Sequence, residues 1–172
     1  MVSTLLDAGR HAVGLYRFSY WLEHRLGRPG KWLAYLVYRL NITLTGADIP
    51  PTATIGKGFF IPHPTGIVVG RATVIGDDAK VMSGVVIGSR GAHRTWSDDL
   101  YPRIGHRVFI GANSVVVGPI TIGDDVMIGA GVVVSESVAA SSVVHAAKPA
   151  IEPRTAGRPA AADADGLRVN AK

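Results

Sequence analysis

A branched aliphatic residue recurs every six positions through the middle of this chain: Ile49, Ile55 and Ile61; Val69, Ile75, Val81 and Ile87; Ile104, Ile110, Val116, Ile122, Ile128 and Val134. Glycine often follows it, as in Ile55-Gly56, Ile75-Gly76 and Ile128-Gly129. Four residues after it comes a small or β-branched residue, such as Ala53, Thr73, Ala79, Val108 or Ser114. A six-residue period fits neither an amphipathic helix nor an alternating strand. It fits a solenoid in which each side is one short strand and one turn, contributing one inward aliphatic. Stacked coils then pair their strands in parallel, about 4.8 Å apart. The branched side chains line up into one continuous core. Glycine after the core residue serves a tight corner, through positive φ or close backbone approach. The expected fold is a parallel β-helix.

The phase breaks twice. Between Ile61 and Val69 the step is eight residues, and the extra length falls in Pro62-His63-Pro64-Thr65-Gly66. Between Ile87 and Ile104 it is seventeen. That interval, 89–103, holds Arg90, His93, Arg94, Trp96, Asp98, Asp99 and Tyr101, the composition of a loop thrown outward. Insertions in repeat proteins collect on the binding face.

Composition bounds the rest. Of 172 residues, 47% are hydrophobic and 18% charged, enough apolar surface for a real core. With no cysteine, a disulfide framework, thiolate metal sites and a cysteine nucleophile are excluded. The net charge of +5 sits at the ends. Residues 49–147 hold seven basic and seven acidic side chains, so no nucleic-acid footprint crosses the middle. Residues 1–46 form a helical segment, with one helix expected from Leu5 to Leu26, a stop at Gly27-Arg28-Pro29-Gly30, and a second from Lys31 to Leu40. Its mix of Trp, Tyr and Arg fits a hairpin packed on the rest of the protein. The sharper alternative is weak association of residues 5–40 with a membrane surface. No signal peptide or bilayer-spanning run is visible, so a cytoplasmic location is expected. The β-helix is expected over 47–138, then a capping segment and disordered tail over 139–172.

The repeats, together with ADIPPTATIGKGFFIPHPTGIVVG and GVVIGS…YPRIGHRVFIGANSVVVGPITIGDDVMIGAGVVV, resemble the serine acetyltransferase branch of the left-handed β-helix acyltransferases. The likeness covers roughly residues 46–138, and His63 to Gly70 is its most specific part. It implies a left-handed helix, a homotrimer with active sites between subunits, acetyl-CoA as acyl donor, no metal, and a small acceptor bearing a hydroxyl. His63 aligns with the family's catalytic base and Asp48 with its supporting aspartate. A hydroxyl is a poor nucleophile until a base takes its proton, a role worth about 10²–10⁴-fold. A carboxylate on the other ring nitrogen fixes the tautomer. The bland readings are a loop histidine between prolines and a turn residue after Gly46. Gly111, Ala112 and Ala130 match family positions that touch the cofactor. Lys148 is either a partner for the 3′-phosphate or an exposed lysine at the root of the tail.

Three departures bear on the acceptor. Pro62 stands where the family has Asp before the catalytic histidine, and Leu100-Tyr101-Pro102 where it has Arg-His-Pro. The extruded loop is longer, placing His93 where it could replace the lost histidine, with Tyr101 as a second acceptor contact. The helical zone is also shorter than the family's, which favours a trimer over a hexamer. The closest motif match points to serine or a related hydroxy-amino acid. The missing amino-acid contacts and the loop aromatics point to a sugar. A catalytically silent scaffold is the third reading, against which Asp48 and His63 stand.

Overall fold

A computed structural model describes residues 7–90 and 97–148. Helix α1 (Ala8–Arg25) is capped by Asp7, whose side chain accepts from the Gly9 and Arg10 amides. Only Leu26 separates it from α2 (Gly27–Thr45), so the second helix starts earlier and ends later than Lys31–Leu40. The expected stop at Pro29 fails for a physical reason. Pro29 falls in the first turn of α2, where an amide hydrogen has no partner within the helix anyway. The helix ends at Gly46, which takes a left-handed φ of 74° and donates its amide to Ile42 O at 2.9 Å.

The remainder coils into a triangular prism. Its first face begins with Asp48, bridged to Val68, and continues through β2 (Val68–Val69), β5 (Val86–Gly88), β8 (Val115–Val117) and β11 (Val133–Val134). The second carries β1 (Thr54–Ile55), β3 (Val74–Ile75), β6 (Arg103–Ile104) and β9 (Thr121–Ile122). The third begins with Phe60, bridged to Lys80, and carries β4 (Lys80–Val81), β7 (Phe109–Ile110), β10 (Met127–Ile128) and β12 (Val143–Val144). Every strand pair is parallel. The ladder therefore runs past residue 138, because Val143 and Val144 still pair with Met127 and Ile128.

Each strand buries one residue of its pair and turns the other outward. Every aliphatic residue of the six-residue series is at most 5% exposed, and Ala53, Thr73, Ala79, Val108 and Ser114 are buried behind them. The glycine after the core residue is needed for close approach. A Cβ on Gly111 would lie 2.5 Å from Ala130 N, and one on Gly76 2.6 Å from Gly105 O. Positive φ falls two residues later instead, at Asp78, Arg107, Asn113 and Asp125.

The hairpin closes the first coil. Tyr16 of α1 is fully buried and donates its hydroxyl to Ala53 O at 2.7 Å. The Arg17 guanidinium donates to the carbonyls of Ile55 and Gly56. Packing on the rest of the protein thus accounts for α1. The outer side of α2 stays exposed, with Trp32 at 82%, Leu36 at 66% and Leu44 at 65%. Among the described residues, no helix is long and apolar enough to cross a membrane.

Candidate active site

The eight-residue step forms the corner between the third and first faces. Pro62 and Pro64 remove two backbone donors there. The turn closes instead through Ile67 N to Pro64 O at 3.2 Å, and Gly66 N reaches back to Gly46 O at 3.1 Å. That second bond ties the turn after His63 to the residue two before Asp48. Asp48 is itself pinned on both sides, donating its amide to Ile67 O and accepting from Val69 N, each at 2.8 Å. Since Ile49 points inward and is fully buried, the neighbouring Asp48 side chain points outward at the top of the first face.

His63 is exposed, and its ring makes no hydrogen bond among the described residues. The Asp48 carboxylate is engaged from a different side. Its Oδ1 accepts the Tyr38 hydroxyl from α2 at 2.5 Å, while Oδ2 accepts no hydrogen bond among the described residues. The Tyr38 phenol is pushed well above its ordinary range, first by burial and then by the bonded carboxylate. It is therefore a permanent donor. The sequence carried no signal for Tyr38, which lies ten residues before Asp48 on a helix that was expected to end at Leu40.

The same corner recurs in the coils below. Gly84 N donates to Thr65 O at 3.1 Å, Asn113 N to Ser83 O at 2.9 Å and Gly131 N to Ala112 O at 2.9 Å. His63, Ala112 and Ala130 therefore sit on one edge of the prism, with Gly111 buried beneath it. At about 4.8 Å per coil, the turns of Ala112 and Ala130 lie roughly 10 and 14 Å along that edge from the His63 turn. Lys148 is exposed, past β12 and beyond the next corner on this side.

The two faces meeting at this edge expose mainly apolar residues, with Lys80 the charged member of the third face's row. Val68 is 38% and Val133 70% exposed on the first face; Phe60 is 48%, Met127 52% and Val143 54% exposed on the third. The second face turns out Thr54, Arg103 and Thr121 instead.

The extruded loop leaves after β5 and returns through a short 3-10 helix (Asp98–Leu100) to β6. His93, expected near the acceptor, lies outside the described residues. Tyr101, expected to meet the acceptor, is only 7% exposed. Its ring covers Gly70, where a Cβ would stand 2.5 Å from it. In this chain Tyr101 packs the corner, because glycine leaves a space that an aromatic ring fills. At the loop's ends, Arg71 pairs with Asp98 at 2.7 Å and Arg90 donates to Ser135 O at 3.0 Å.

Residues 101–136 match the family described as Bacterial transferase hexapeptide (six repeats). The chain is 42% identical over 136 residues to the serine acetyltransferase of Mycobacterium tuberculosis, covering 79% of this chain and 57% of that one. To the serine acetyltransferase of Helicobacter pylori strain J99 it is 38% identical, covering 84% of this chain and 81% of that one. Its fold is similar to the crystal structure of Neisseria gonorrhoeae serine acetyltransferase in complex with serine. The TM-score there is 0.74 at 36% identity, over 84% of this chain and 58% of that one. The chain thus spans little more than half the length of two of these relatives.

Proposed function

The chain belongs to the serine acetyltransferase family, and on that premise we propose that it transfers acetyl from acetyl-CoA to the hydroxyl of serine. The observation that carries this reading is the exposed His63 on the corner turn that Gly66 ties to Gly46, two residues before Asp48. Among the described residues that imidazole makes no hydrogen bond, and Asp48 Oδ2 likewise accepts none, so both stay available for the reaction. His63 takes the proton of the attacking hydroxyl as the new ester bond forms, and returns it to the departing thiol. Asp48 fixes the ring's tautomer and stabilises the imidazolium. Acetyl-CoA supplies the activated thioester. No covalent intermediate on the protein is required.

Donor binding is assigned to the edge that carries Gly111, Ala112 and Ala130. Backbone groups there are close to the surface, and Lys148 stands beyond them for the phosphates as a point charge. The proposed assembly is a homotrimer. The exposed apolar rows on the two faces flanking the histidine edge support it, since a neighbouring prism would cover them and turn the edge into a cleft. The proposed location is the cytoplasm, where acetyl-CoA is at hand.

The test is thiol release from acetyl-CoA with a panel of hydroxyl acceptors. Turnover on L-serine, lost in His63→Ala at unchanged circular dichroism and elution volume, supports the reading. Wild-type turnover in His63→Ala overturns the mechanism, and turnover on sugars alone overturns the acceptor.

A further inference from the structure

We propose that Tyr38 is a positioning residue of the transfer site, its hydroxyl holding one oxygen of Asp48 so that the other is presented to the His63 imidazole. The inference rests on the general-base reading above and extends it to the helical hairpin. The bond from Tyr38 Oη to Asp48 Oδ1 is 2.5 Å, at the short end for a hydroxyl on a carboxylate. A carboxylate accepts on both oxygens, so the hydroxyl on Oδ1 leaves Oδ2 for a ring nitrogen.

Asp48 needs such a hold. Its backbone is fixed by bonds to Ile67 and Val69, but its side chain stands outward on the first rung of the first face. On the next rung of that row is Val68, which offers no donor from its side chain. Tyr38 supplies the restraint from the other side and is itself restrained. It is partly buried, rides on α2, and meets Tyr35 edge-on with ring centroids 6.0 Å apart at 86°. The charged and titratable groups acting on this phenol are Asp48, Tyr35 and Arg39. The hairpin, which closes the solenoid through Tyr16 and Arg17 on α1, thus also reaches the reacting groups through α2.

The experiment compares the full chain with Tyr38→Phe, Asp48→Asn, the double variant and His63→Ala, using acetyl-CoA and L-serine. Tyr38→Phe is expected to lower kcat about 10- to 100-fold, the scale on which an outer partner of a site residue acts. KM for both substrates stays unchanged, as do circular dichroism and elution volume. In the Asp48→Asn background, Tyr38→Phe costs nothing further, because the residue acts only through that carboxylate. Wild-type kcat in Tyr38→Phe, a change confined to KM, or losses that multiply in the double variant each overturn the proposal while leaving the base intact. Wild-type turnover in His63→Ala removes the base reading first, and Tyr38 falls with it.

Discussion

Two edges of one prism carry titratable side chains in opposite states. Where the second face turns into the third, the carboxylates are taken up by backbone amides of the turns and by Arg107. Asp77 Oδ1 accepts from Lys57 N at 2.7 Å, and Asp124 Oδ1 from His106 N at 2.8 Å. Arg107 grips Asp125 through two bonds of 2.7 Å. That guanidinium holds the Asp125 carboxyl below its ordinary range. Where the third face turns into the first, His63 stands with no bond to its ring among the described residues, and the corners below carry Met82, Ser83, Ala112, Asn113 and Ala130, with His145 past β12. Charge at a solenoid corner is by default part of the turn. The edge proposed for the reaction differs in that its histidine stays outside the turn's hydrogen bonds among the described residues.

The largest expected effect separates the edges directly. His63→Ala should cost about 10²–10⁴-fold in turnover, the scale of general-base catalysis. Arg107→Ala should leave turnover at the wild-type level; a comparable loss there would erase the contrast. Next comes the core that both edges share. Ile110→Ala should lower unfolding stability by about 2–5 kcal/mol, read by chemical denaturation. A smaller loss would mean that neighbouring coils collapse into the space. Tyr16→Phe leaves the Ala53 carbonyl without its buried partner and should cost about 1–3 kcal/mol, testing how firmly the hairpin caps the coil.

The smallest effect belongs to the ion-pair edge and depends on pH. The folded-state pKa of Asp125 is lowered, so its contribution is present above the ordinary carboxylate value of 3.8. It is lost as pH falls below that value through the depressed one. Both partners are exposed at the surface, so Asp125→Asn should move the denaturation midpoint little at neutral pH and not at all once the carboxylate is protonated. A large shift at neutral pH would show that the pairing holds the corner together.

Most of the solenoid was legible because its determinants are local. Each coil repeats one instruction, an inward aliphatic with a glycine behind it, and the stacking follows wherever the phase is kept. The phase break at 62–66 likewise announced a corner unlike the others, and His63 stands exposed on it. Less legible were features in which distant segments meet. Tyr101 reads as a loop aromatic in sequence, yet it is buried because Gly70, far earlier in the chain, leaves room for its ring. Pro29 reads as a break, yet it occupies the helix position that tolerates it. Past residue 138 the repeat fades to the eye, yet Val143 and Val144 still find a strand to pair with.

By itself the amino-acid order determined the prism, its core and the place of its singular corner, because a six-residue rule is satisfied within each turn and merely propagated by stacking. The tertiary structure alone decided that α2 lies close enough to bring the Tyr38 hydroxyl onto Asp48 and that one edge gathers His63, Ala112 and Ala130. Those meetings depend on the angle at which the hairpin docks and on how many coils lie between two corners, quantities that no local pattern encodes.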